Sequence, residues 1–198
     1  MDITILPLTP KLADDYFDFF ENRAFTDDSP YRCYCQVFQM SKAEYDEAYN
    51  SISDPNEIGR ASRKIAKQQI DAGILRGYLA FADGMAIGWC NVNDKANFPA
   101  NSFNGAFGHF HTPEKNREKA VVCFEIAPEY RMKGVATALL RRAVEDARQE
   151  SYIAVEGFPV LRQERFEWDS PGPLRLYEKE GFVKTAEKDS FCIMRKEL

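Results

Sequence analysis

Two hydrophobic periods run through this chain, and the change from one to the other is sharpest between Val121 and Leu140. Val121 to Ile126 is apolar or aromatic apart from Glu125, too short for a globular helix, and it stops before Pro128. That pattern predicts a largely buried strand. From Val135 the spacing lengthens: Val135, Leu139, Ala143 and Ala147 recur every four residues with Leu140 and Val144 beside them, and Arg141, Arg142, Glu145 and Arg148 take the opposite side. This is the pattern of an amphipathic helix lying on a sheet. Strand and helix are joined by a short basic turn, Arg131-Met132-Lys133-Gly134-Val135-Ala136.

The remaining elements follow from the same periods. Asp2 to Leu8 reads as a first strand bounded by Pro7 and Pro10; Thr9 is placed to cap a helix that has Pro10 at its first position and runs to about Glu21 on Leu12, Tyr16, Phe19 and Phe20. Phe25 to Met40 is aromatic and turn-rich. Ser41 to Tyr49 forms a short helix with Glu44 at a capping-box position. A longer helix begins at Asp54-Pro55 and ends at Gly73, with Ile58, Ile65 and Ile70 inward. Tyr78 to Ala82 and Met85 to Val92 flank Asp83-Gly84, a favoured hairpin turn. Asp94 to Lys119 is polar and broken by Pro99, Gly105 and Gly108, so it reads as a loop or irregular insertion. Tyr152 to Phe158 is a strand, Pro159 to Pro173 an insertion-like loop, and Leu174 to Glu180 a short helix; Phe182 to Lys184 and Phe191 to Arg195 make a closing hairpin.

Composition narrows the class. A chain of 198 residues, 44% hydrophobic and 29% charged, suits one globular domain with a full core. No apolar run reaches the length of a membrane span and no basic-then-apolar leader pattern opens the chain. A net charge of −5 argues against a nucleic-acid partner. Five cysteines without small-scaffold spacing suit free thiols in a reducing compartment, so a cytoplasmic location without a membrane partner is expected.

The turn carries the candidate chemistry. The first N–H groups of a helix lack intrahelical partners, and the helix dipole adds positive potential there. Gly134 admits close backbone approach, Ala136 is small, and Arg131 and Lys133 are cations, so the turn suits a phosphate or pyrophosphate. An ordinary strand-to-helix turn with two solvated cations fits the same residues. Here Arg131, Gly134 and Ala136 resemble the Arg/Gln-x-x-Gly-x-Gly/Ala loop of the GNAT superfamily of N-acetyltransferases, with Pro128 three residues upstream of Arg131. Leu176-Tyr177-Glu178-Lys179-Glu180-Gly181-Phe182 resembles that family's C-terminal Leu-Tyr-Glu-Lys-x-Gly-Phe. The two lie in family order, separated by strand-like Ile153 to Glu156.

The resemblance implies an α/β fold with a mixed, mainly antiparallel sheet, a splayed parallel pair at its centre and helices on both faces. It implies one acyl-CoA N-acyltransferase domain, with residues 1–75 on the acceptor side and 76–198 as the CoA-binding core. Acetyl-CoA is the implied cosubstrate. Its pyrophosphate would meet the N–H groups of Met132, Lys133, Gly134, Val135, Ala136 and Thr137, with Arg131 beside them, and its pantetheine arm the main chain from Phe124 to Ile126. The implied reaction moves an acetyl group to a primary amine by direct attack. Tyr177 matches the tyrosine that protonates the departing sulfur; a helix tyrosine packed on the sheet is the plain alternative. Two carboxylates compete as base. Glu156 ends the strand after the central helix and resembles a family glutamate; Glu125 sits in an apolar strand, where a carboxylate needs a reason. Each could equally be a charge paired with a nearby Arg or Lys. Glu156 is preferred, although the family often relays the proton through water. The Asn that usually follows this strand is replaced by Ser170-Pro171-Gly172-Pro173.

Other readings remain beside this one. The acceptor is open between a small cationic amine and a peptide amine, and nothing in the sequence fixes oligomeric state beyond admitting a homodimer. A catalytically silent CoA-binding sensor or interaction module would keep the same loop. Cys33-x-Cys35 and His109-x-His111 could meet around zinc, but the usual spacing has two residues between cysteines, so no metal is expected. Cys90 and Cys123 sit in apolar strand patterns and read as inert thiols.

Overall fold

The computed structural model describes residues 1–27, 33–99, 117–161, 170–188 and 190–198. Seven strands form one sheet: β1 (Thr4–Pro7), β2 (Gly77–Ala82), β3 (Met85–Asp94), β4 (Glu118–Ile126), β5 (Ala154–Gly157), β6 (Val183–Lys188) and β7 (Phe191–Glu197). Their order is β1-β2-β3-β4-β5-β7-β6. Every neighbouring pair is antiparallel except β4 and β5. Among the described residues five helices accompany them: α1 (Ala13–Asn22), α2 (Lys42–Tyr49), α3 (Pro55–Asp71), α4 (Val135–Gln149) and α5 (Leu174–Lys179).

Local chemistry accounts for most boundaries. The turn between β2 and β3 holds Asp83 and Gly84 at φ 49° and 76°, as a two-residue hairpin requires. Ser41 and Glu44 form a reciprocal capping box on α2, and the Asp54 side chain accepts from the Asn56 N–H at the start of α3. On α4 the predicted stripe is buried in full. Elsewhere the sequence reading needs correction. Thr9 makes no side-chain cap, because Pro10 opens a separate 3-10 turn, Pro10–Leu12, ahead of α1. On α3, Ile58 is exposed; the inward stripe is Ser62, Ala66, Gln69 and Ile70. That stripe suits a helix whose neighbour is polar, since Ser62 Oγ lies 3.1 Å from the Tyr49 hydroxyl, which accepts from Gln36 at 2.8 Å.

One core lies on each face of the sheet. Tyr16, Phe19, Phe20 and Phe38 cover one face and enclose Trp89, Phe98 and Phe158. Leu139, Leu140 and Val144 of α4, with Tyr177 of α5, cover the other and enclose Ile87, Phe182 and Met194. The sheet therefore carries helices on both faces.

The parallel pair positions the site. Its ladder runs only from Glu118↔Ala154 to Val121↔Gly157. There β5 ends, while β4 continues to Ile126 with β3 on one side and, among the described residues, no strand on the other. The two strands part at Val121 and Gly157. β4 also begins earlier than its apolar run, because Glu118 and Lys119 are buried with ionic partners. β5 is shorter than predicted, with Ile153 exposed, and the last two strands run further at their C-terminal ends, to Lys188 and Glu197.

Candidate active site

Leaving β4, the chain makes a 3-10 turn at Pro128–Tyr130 and then enters α4 through Gly134. Gly134 holds φ 86° as the N-cap residue, a conformation open to glycine and strained for any residue with a Cβ, and Met132 precedes it at φ 60°. Among the described residues no side chain caps the N-terminus of α4. A Cβ built on Gly134 meets nothing within 4 Å, and Met132 is fully exposed. The helix thus presents uncapped N–H groups and its positive dipole end to open space, which fits a phosphate. The Arg131 side chain turns the other way. Its Nε donates to the Ile126 carbonyl at 3.1 Å, and its guanidinium pairs with Asp27 and lies 3.6 Å from Glu125 Oε1.

Where β4 and β5 part, Ser170 to Gly172 fills the gap. The Phe124 N–H donates to the Ser170 carbonyl at 2.7 Å. The Tyr177 hydroxyl donates to the Pro171 carbonyl at 2.7 Å. Tyr177 has no exposed surface, and burial drives its phenol well above the ordinary tyrosine value, so the group keeps its proton. Its ring rests on Gly157: a Cβ built there would lie 2.1 Å from Tyr177 Cε1. Gly157 is therefore required for close approach. Gly157→Ala is expected to destabilise the fold by about 1–3 kcal/mol, read as a lower urea midpoint.

The two carboxylates have different surroundings. Glu156 is 4% exposed, with one oxygen 2.7 Å from Lys95 Nζ and the other 2.7 Å from Arg195 Nη1. Both cations also reach Glu118, Lys95 at 3.2 Å. Burial alone would raise the Glu118 carboxyl, but Arg195 and Lys95 hold it below the usual range. Glu125 is half-buried, on the face shared with Cys33 and Cys123. Burial pushes its carboxyl up to about 7, with Asp27 adding to the rise and Arg131 opposing it. Sequence reasoning had no view of Lys95, Arg195 or Asp27. Each comes from a distant segment, and nothing in its local pattern marks it.

Among the described residues no group of three or more His, Cys, Asp or Glu side chains is arranged to hold a metal. His109 and His111 lie outside the described residues. All five cysteines are free. Burial raises the thiols of Cys90 and Cys33, the latter to about 12; that of Cys123 is raised by its hydrogen bond with Cys35 and then by burial. These are settings of poor nucleophiles. No helix among the described residues is long and apolar enough to cross a membrane.

Against known proteins, the acetyltransferase (GNAT) family model matches residues 34–182. The chain belongs to the GNAT acetyltransferase family. No curated protein matches it in sequence. Similar solved structures include the PaiA N-acetyltransferase of Thermoplasma acidophilum in complex with coenzyme A, at 18% identity and TM-score 0.53, covering 100% of both chains. A GNAT acetyltransferase of Streptococcus pneumoniae is 16% identical with TM-score 0.55, over 100% of this chain and 99% of that one. A chain of the NatC complex bound to Gag peptide and CoA is 14% identical with TM-score 0.53, over 100% and 99%. At these identities the likeness is one of fold: a mixed, mostly antiparallel sheet with a single parallel pair and flanking helices.

Proposed function

We propose that this chain is an acetyl-CoA-dependent N-acetyltransferase that acts on a primary amine by direct transfer. The observation that carries the reading is the juxtaposition of two features. A glycine turn with uncapped helix N–H groups stands at the end of β4, and β4 itself has parted from β5 and lacks a strand partner along that edge. Pyrophosphate fits the N–H groups from Met132 to Thr137, with Lys133 beside them. An extended arm fits the edge of β4 from Phe124 to Ile126, where it would displace Ser170 from the Phe124 N–H. Residues before 76 cover the face that carries Glu125 and form the acceptor side; residues from 76 onward form the cosubstrate core.

In this reading the amine nitrogen attacks the thioester carbonyl carbon, the new C–N bond forms and the C–S bond breaks. Glu125 takes the amine proton, directly or through one water. A carboxylate with a midpoint near 7 is matched to that task. The departing sulfur takes its proton from the Tyr177 hydroxyl, which lies where the strands part. Glu156 is assigned a structural role instead, since both of its oxygens are held by buried cations. Glu21 pairs with Arg63 while Asp27 and Glu125 share Arg131, so these three carboxyls stand against two cations on the acceptor side, which suits a cationic small amine or a peptide amine.

The test is a calorimetric titration of acetyl-CoA into the parent and Gly134→Glu, followed by a panel of primary amines scored by thiol release. Saturable binding in the parent is expected, with affinity at least about tenfold weaker in the variant, which carries both a strained backbone and an anion at the helix N-terminus. No binding in the parent would overturn the reading. The second reading, a silent CoA-binding module, is favoured by the Ser170 and Pro171 carbonyls, which hold the Phe124 N–H and the Tyr177 hydroxyl. Tyr177→Phe separates the two. Loss of turnover with retained acetyl-CoA binding supports the enzyme; acetyl-CoA binding with no turnover of any amine in the parent supports the module.

A further inference from the structure

The Arg131 side chain stands where a phosphate-binding cation is expected, yet none of its contacts faces the turn. Nε is committed to the Ile126 carbonyl, and the guanidinium bridges Asp27, from the segment after α1, and Glu125 on β4. These partners tie the end of β4 to the acceptor-side segment, away from the uncapped N–H groups of α4. We infer that Arg131 is a positioning residue for the acceptor side: its guanidinium clamps Asp27 to the Glu125 carboxylate and sets the protonation of Glu125, while anion binding at the turn is left to the main chain and Lys133. The inference rests on the assignment of Glu125 as base.

Among the described residues, these titratable groups face Glu125. Arg131 follows β4, Asp27 follows α1, Cys33 precedes the 3-10 turn at Gln36–Gln39, and Cys123 lies two residues back on β4. Among the described residues that face it, Arg131 is the cation. An opposite charge near a carboxylate favours its ionised form, and a like charge disfavours it. Arg131 and Asp27 therefore act on Glu125 with opposite sign.

Two variants read this out. Arg131→Met keeps an aliphatic stem and removes the guanidinium; Asp27→Asn keeps the shape and removes the anion. The Glu125 carboxyl is titrated by carbon NMR of glutamate-labelled protein, with Glu125→Gln used to assign its resonance, and acetyl-CoA affinity is measured by calorimetry. Arg131→Met is expected to move the Glu125 midpoint upward by about one pH unit and to change acetyl-CoA affinity by less than about tenfold. Asp27→Asn is expected to move the midpoint downward, because the anion is gone and the guanidinium is released to Glu125. An unmoved midpoint in Arg131→Met, a larger loss of acetyl-CoA affinity, or an upward shift in Asp27→Asn would each overturn the inference. Neither readout needs turnover. A parent that shows these shifts but acetylates no amine would sink the transferase reading while leaving the clamp in place. If Arg131→Met does not fold, the sign of the Asp27→Asn shift decides alone.

Discussion

Glu125→Gln is expected to lower kcat by roughly 10²–10³-fold at pH 8, with acetyl-CoA affinity little changed. The amide cannot take the proton that the attacking amine must lose, and it keeps the size and most of the packing of the carboxyl. In the parent, kcat/KM should rise with pH through about 7 as the Glu125 carboxyl ionises, and this limb should vanish in the variant. Stability should move the opposite way. The carboxyl has a midpoint near 7 in the folded chain against 4.5 for the unperturbed group. Between those values the folded chain holds a proton that the unfolded chain has released, so stability falls as pH rises across this window and stays low above it. Glutamine carries no such penalty. The variant should match the parent below pH 4.5 and exceed it by roughly 1–3 kcal/mol above pH 7, measured by urea unfolding at both ends. A variant with parental kcat would remove Glu125 from the chemistry, whatever its stability.

The part of the fold that was legible from sequence is the part whose cause is local. Val121 to Ile126 and the four-residue spacing from Val135 announce a strand and a helix because neighbours along the chain decide both. The Asp83-Gly84 turn and the Ser41–Glu44 capping box are equally short-range. Ile58 misled for a related reason: periodicity finds the apolar stripe, but the face of α3 that turns inward is fixed by the polar contacts of Tyr49 with Ser62 and Gln36. The site was less legible. Glu156 reads from sequence as a base or as a charge paired with an Arg or Lys, and the cations that decide between them stand 61 and 39 residues away. Arg131 was read as a phosphate ligand, while its partner Asp27 lies 104 residues upstream. The absence of the usual Asn was visible, but not that Ser170 and Pro171 would lie against Phe124 and Tyr177. Strand order and pairing register set all three, and no local pattern encodes them.

That long-range character gives the four-charge cluster a consequence of its own. Lys95→Met is expected to destabilise the protein by about 3–5 kcal/mol, the cost of breaking a buried ion group from one side. Lys95, Glu118 and Glu156 are each less than 10% exposed, so water cannot take over the lost contacts. Arg195 would remain as the cation shared by both carboxylates, while the Glu156 oxygen now 2.7 Å from Lys95 would lose its buried partner. The cluster also fixes the sheet geometry at the base of the cleft. Glu118 and Glu156 lie on the parallel pair, and Arg195 faces Glu156 across the β5–β7 ladder. Anchored there, β4 and β5 stay together up to Val121 and Gly157 and part only beyond. The sign with pH is a second check. Lys95 helps hold the Glu118 carboxyl below the usual range, so the stability it contributes is present at neutral pH and lost as pH falls, and the gap between variant and parent should narrow toward acid. Urea unfolding at pH 7.5 and 4.5 measures both effects. Glu156→Gln belongs in the same experiment: a stability loss is expected, whereas a fall in kcat per folded molecule larger than that of Glu125→Gln would return the base to Glu156.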